Sequence, residues 1–389
     1  MMRLRPSRCA AFAALVLTPR TLQQPTADIA PVAPSIVRTY ETGPDGLELF
    51  RVNHVVIEPA SGALWVHYGE ESEPPVRIDR RTGAAKVIGR RGSGPNEYTR
   101  IIAMVPGAHG DVGIWDPGRR LWFWVDSAGV QRRTWPLPTN SLNYGQIFSD
   151  ARGNVYIGQP LAFADPQRRV AAVRVDSAAG LRDTIPIPFQ TDSKWQWSAS
   201  TANGSSGTRV MHAPSVVWSV DARGRLLVAW TDSNFVTVRD GGRDRRVLVP
   251  NYREPLSAQE RRRATESLDQ FEATARSRSA QLSGPRPSLP EFRNQLTTIV
   301  PDMTGGFALP RLRVCRNIPE WRAPGTREPA PTPDGRCGIV ERFDAEGRRL
   351  RPFTLQAGHQ LRVMRGDTAW VVSSNRDGFD QILEMVVPR

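Results

Sequence analysis

Lysine is almost absent from this chain of 389 residues: Lys86 and Lys194 are the only ones, yet the formal net charge is +13. The basicity is therefore carried by arginine, a bias expected of a GC-rich genome. Its densest group is Arg243, Arg245, Arg246 and Arg261, Arg262, Arg263. The arginines are otherwise scattered through strands, turns and loops, whereas nucleic-acid binders gather charge on one face or helix. A nucleic-acid partner is thus not expected. Cysteine is scarce, with Cys9, Cys315 and Cys337 alone. No histidine lies near the last two, and two thiolates do not make a zinc site. Long apolar runs are missing after residue 20, which excludes a membrane-spanning helix of the usual ~20 residues. There is no G-x-S-x-G elbow, no H-E-x-x-H and no credible Ser-His-Asp order, so the common hydrolase signatures are absent.

The first residues have the layout of a secretory signal: Arg3, Arg5 and Arg8, then an apolar stretch from Cys9 to Leu17, then a polar exit to Ala27. Cys9 precedes the apolar run, which is the wrong order for a lipid anchor. With a leader over residues 1–27, cleaved between Leu17 and Ala30, the mature chain is exported to the periplasm or the exterior. Two cysteines in an oxidising compartment predict a Cys315–Cys337 disulfide. It would close the Pro-, Gly- and Arg-rich loop 316–336, for a gain of roughly 3 kcal/mol.

A repeat runs through the rest. An apolar strand, a tight turn ending in Gly and a second apolar strand recur at Val55–Val66, Ile101–Trp115, Gln146–Ile157, Val216–Val228, Thr298–Leu309 and Leu361–Val372. A second hairpin with an arginine-rich last strand follows at Val76–Ile88, Trp122–Trp135, Ala171–Ile185, Phe235–Val249 and Gly338–Phe353. Two hairpins make a four-stranded blade, and arginine suits an outermost edge. The reading is all-β: a six-bladed β-propeller over residues 35–389. The last unit ends at Gln381–Val387, one strand short, and Ser35–Tyr40 is expected to complete it. Thr42–Phe50 and Gly92–Ile101 then read as the same inter-blade link. Three insertions interrupt the repeat, at about 191–214, 257–292 and 316–336. The first is polar and reads as a loop. The second has a helical pattern, with Ser257 and Glu260 as a capping box and Leu268, Phe271 and Ala275 on one face.

The segment Ile88–Tyr98 (IGRRGSGPNEY) and the DARG turns at Asp150 and Asp221 resemble exported six-bladed propellers related to the NHL-repeat family. Tyr98 replaces the commoner Phe, and Asn96 stands where Gly is frequent. The resemblance implies the fold; the architecture hosts binding, lyase, lactonase and scaffold roles alike.

Candidate site residues are few. His54 and His359 fall at the starts of innermost strands, around the central channel, and His212 lies just before another. Some lyases of related type hold a metal with channel histidines, but no third ligand is evident here, so neither a metal site nor a cofactor is expected. Trp195 and Trp197, in the polar loop, are candidates for stacking on a ligand. In the GSGPNEY loop a structural role is expected, with Glu97 bonding backbone amides or an arginine. The expected function is binding or scaffolding by a monomer, which recognises a protein, peptide or glycan through one propeller face and the channel mouth. The alternative is a metal-assisted hydrolase of lactonase type, or a lyase, using His54, His212 and His359.

Overall fold

A computed structural model describes residues 29–388 except 137–145, 161–169, 177–180, 188–192, 251–252 and 315–335 and positions 203, 295, 297, 357 and 376. The expected leader and Cys315 lie outside the described residues, so the predicted disulfide does too; the Cys337 backbone pairs with Arg313 across two strands.

Among the described residues the two-hairpin units form six four-stranded antiparallel sheets. Blade 1 is Val52–Ile57, Leu64–Tyr68, Val76–Ile78 and Ala85–Val87; blade 2 is Ala103–Pro106, Val112–Asp116, Leu121–Val125 and Gln131–Pro136. Blade 3 is Ile147–Ser149, Val155–Pro160, Val170–Val175 and Leu181–Pro186; blade 4 is Val216–Val220, Leu226–Trp230, Phe235–Asp240 and Arg243–Leu248. Blade 5 is Val300–Pro301, Phe307–Val314, Arg336–Phe343 and Arg349–Leu355. Blade 6 is Gln360–Arg365, Thr368–Ser374 and Asp380–Val386, completed by Ser35–Tyr40. The innermost strands touch in a closed cycle, that of blade 6 against that of blade 1. The chain is a β-propeller.

Each blade buries both faces, which is why its strands read as apolar runs. An apolar cluster fills every junction between neighbouring blades, including the closing one. Strand alternation decides the sharing: Trp122 and Trp124 enter the junction of blades 2 and 3, and Phe123 that of blades 1 and 2.

The ring closes as the repeat requires. Ser35 pairs with Val386 and Tyr40 with Ile382. The Tyr40 hydroxyl donates to Glu384 at 2.9 Å, and Arg80 from blade 1 forms an ion pair with the same carboxylate. Burial and the Glu384 carboxylate raise the Tyr40 hydroxyl's pKa, which keeps it a donor.

The two inter-blade links share one backbone feature. Asp45 and Asn96 both follow Gly-Pro and have φ of 58° and 55°. Asn is among the few residues that tolerate that region, which explains why Gly is frequent there and why Asn96 is accepted. Glu97 accepts from the Gly94 amide and from Arg90, both at 2.6 Å, while Arg119 donates to the carbonyls of Gly94 and Glu97. That segment is a structural clasp.

The first insertion differs from its loop reading. Gln196–Thr201 and Gly204–Arg209 form a hairpin, and Gln281–Leu282 from the second insertion adds a third strand. The strands carry little besides Ser, Thr, Gly and Ala, so no apolar alternation marks them; the partner strand and the helix stabilise them. Helix α1, Ala258–Ser277, starts at the Ser257–Glu260 capping box. Leu268 packs with Trp197, Val210 and Ala213, and Phe271 lies against them. Two insertions separated by blade 4 thus build one small cap with its own core.

Candidate functional site

Four antiparallel strands return the chain to the end of the channel where the blade began. Inter-blade connections, and hence the cap, lie at that end. The opposite end is ringed by the tight turns of the first hairpins. A cavity of about 360 Å³ in the channel reaches down to the turn end, with walls from all six blades that include Val55, Met104, Phe148, Asp150, Ala222, Asp302 and Arg362; neither His54 nor His359 lines it.

At the turn end the acidic residues are committed to structure. Asp150 accepts from the amides of Arg152 and Asn154 and from the Asn154 and Tyr156 side chains. Asp302 accepts from Thr304 and from the Gly366 amide. Blade 2 has Gly107 at the equivalent position, and Asp111 reaches back into that space, where any Cβ on residue 107 would overlap its carboxylate. These carboxylates shape turns and leave little capacity for a ligand.

At the insertion-bearing end, His54 stacks on His67 at a ring separation of 5.7 Å. His67 is fully buried; the backbone of Glu70 and Glu73 lies near its ring, but neither ring nitrogen closes a hydrogen bond. Burial, then His67 and Arg362, lower the His54 pKa to about 4, with Glu71 opposing. Burial alone lowers that of His359, the residue just before the innermost strand of blade 6, to about 4. Arg362 reaches the same end, where its Nη2 donates to the Val52 carbonyl at 3.3 Å.

A pH dependence follows. Both histidines have folded pKa values below the unfolded value of 6.5, so between pH 6.5 and about 4 the unfolded chain binds more protons. Stability is therefore complete above pH 6.5 and falls as the pH drops through that window, by roughly 2–3 kcal/mol per ring. Urea midpoints measured from pH 7.5 to 4 should fall less steeply in His54→Gln and His359→Gln than in the parent. Identical slopes would show that these rings titrate normally.

The other candidates lie elsewhere. His212, with φ of 62°, places Nε2 3.6 Å from Glu260 of the cap. With Trp195, Asp232 and Asn294 it lines a second cavity of about 290 Å³ between cap and blade 4. It is thus not one of the groups lining the channel cavity. Trp197 is 3% exposed and packs against Phe271, so its ring is not available for stacking; Trp195 is half-buried, with the Lys194 ammonium 5.0 Å from its ring. Arg362 and His67 were not singled out from the sequence. An arginine inside the channel-lining strand Gln360–Arg365 was the available signal, masked by the abundance of arginine. Among the described residues no three His, Cys, Asp or Glu side chains form a group that could hold a metal ion.

No protein-family profile and no curated protein matches the sequence. Solved structures do match in shape. A DUF4221-family protein from Bacteroides vulgatus superposes with TM-score 0.54 at 12% identity over 92% of this chain and 99% of that one. A Bacteroides fragilis protein assigned to the exported class gives 0.50 at 9% identity, over 93% and 96%. A streptogramin B lyase gives 0.42 at 10% identity, over 90% and 97%. At such identities the likeness concerns the fold. The neighbours are propeller-like, and no sequence match ties the chain to the NHL repeat. Among the described residues no helix is long and apolar enough to cross a membrane.

Proposed function

We propose that this protein is an exported binding protein, which takes a protein, peptide or glycan partner on the insertion-bearing face at the mouth of the central channel. The observation that carries the reading is the concentration of cap, His54, His359 and the Arg362 guanidinium at one end of the channel, from which a cavity continues past Arg362 towards the turn end. Loops on a rigid scaffold are the usual place for recognition. The basic-then-apolar leader layout supports export, as does the likeness to a protein of the exported class.

Peptide and glycan arrays probed with the purified mature protein test this. Binding to one class of partner is expected, lost in a His54→Ala/His359→Ala variant and kept in Arg152→Ala/Arg223→Ala on the turn face. Stoichiometric zinc or calcium by elemental analysis, together with turnover of lactones, would instead establish the hydrolase alternative. Binding lost only in the turn-face variant would reverse the assignment of the face.

A further inference from the structure

We propose that Arg362 forms an anion subsite in the channel, which receives the carboxylate of a ligand whose apolar part fills the cavity. The inference rests on the binding-protein reading and names the chemistry of what is bound.

Four buried or largely buried arginines elsewhere hold carboxylates. Arg225 has Asp221 at 2.6 Å, Arg342 has Asp367 at 2.6 Å, Arg349 has Glu341 at 2.8 Å, and Arg293 has Glu260 at 2.8 Å. Arg362 is half-buried and forms no ion pair among the described residues. Among the described residues its guanidinium makes one hydrogen bond, the 3.3 Å contact with the Val52 carbonyl, and its Nε is buried without a partner. The nearby carboxylate, Asp380, is committed to the Val52 amide at 2.7 Å and the Ser374 hydroxyl at 3.0 Å. Glu71, the other acid near this end, pairs with Arg100. The surrounding side chains, His54 and His67, add no negative charge. A guanidinium offers five donors in a planar fork that suits a carboxylate. A cation so placed costs stability unless a ligand completes it.

The cavity supplies the rest of the site. Its volume of about 360 Å³ is within the range of small-ligand pockets. Val55, Ile57, Met104, Phe148 and Met303 make its walls apolar. Of the polar groups at its turn end, Asp150 and Asp302 are committed to their own turns, and Arg365 is exposed. An apolar body with one carboxylate would meet both the walls and Arg362. Such a group comes either from a free alkanoic acid or from the carboxyl terminus of an apolar peptide.

The test uses two acid–amide pairs, octanoate with octanamide and N-acetyl-leucyl-phenylalanine with its amide, titrated calorimetrically at pH 7.5. One acid is expected to bind at least tenfold more tightly than its amide, and which pair shows it tells the free acid from the peptide terminus. In Arg362→Met that preference should disappear while the unliganded melting temperature rises. Equal binding of acid and amide, no binding of either acid, or a lower melting temperature in Arg362→Met would each overturn the subsite. Array binding on the insertion-bearing face that survives in Arg362→Met would then show that the subsite alone had failed.

Discussion

A chain that begins at Glu41, without residues 29–40, should not close its ring and should be recovered mostly as aggregate. Three losses add up. Tyr40, 5% exposed, leaves the junction of blades 6 and 1, about 1.5–3 kcal/mol for a large side chain. The ladder from Ser35 to Tyr40 disappears, at a net ~1 kcal/mol per hydrogen bond. Val32 no longer bridges to blade 5, where its amide donates to Pro352 and its carbonyl accepts from Thr354. The sum approaches the whole stability of a typical domain, roughly 5–15 kcal/mol. It also exposes Asp380–Val386 as an unpaired edge, which invites pairing with other chains. Size-exclusion chromatography and urea unfolding of the truncated and parent proteins would decide. Tyr40→Phe is the control: it loses only the bond to Glu384, which Arg80 still neutralises, and should cost about 1 kcal/mol. A truncated protein with the parent's elution and midpoint would refute closure by the N-terminal strand.

Arg225→Met should be strongly destabilising. Arg225 bonds the fully buried Asp221 through Nε at 2.7 Å, then crosses to blade 5, donating to the carbonyls of Ala345 and Gly305 at 2.8 and 2.7 Å. Removing it leaves a buried carboxylate held, among the described residues, only by the amides of its own turn, Arg223 and Arg225. Breaking one side of a buried pair costs about 3–5 kcal/mol. Asp221→Asn combined with Arg225→Met should recover part of that loss, since the stranded charge is gone. Arg348→Met, which removes a largely exposed arginine from its pair with Asp344, should barely move the urea midpoint. Equal effects of Arg225→Met and Arg348→Met would mean that the inter-blade contact contributes nothing.

The contrast between these arginines bears on what composition can tell. From the sequence, arginine on outer strands reads as edge protection and genomic bias. In the fold such side chains reach inward: Arg349 to the buried Glu341 and Arg133 to Asp111, and Arg80, from a turn of blade 1, to Glu384. Lysine offers no comparable fork for a buried carboxylate and two carbonyls. The distinction between a solvated arginine and a structural one depends on what stands opposite in the next blade, which no local pattern contains.

The candidate site was legible only in part. Period-two alternation and the position of the repeat were enough to put His54 and His359 at strand starts. Trp197 went to a buried core, because Leu268 and Phe271, about seventy residues further on, fold over it. His212 went to the cap through Glu260.

Repetition along the chain determined the blades, their number and the N-terminal closure, because each unit is one local pair of hairpins whose turns and alternation are written in consecutive residues. Only the tertiary structure decided which charges are paired, how two distant insertions merge into one cap, and that Arg362 forms no ion pair among the described residues. Those outcomes depend on contacts between residues remote in sequence, where geometry rather than local pattern sets which groups meet.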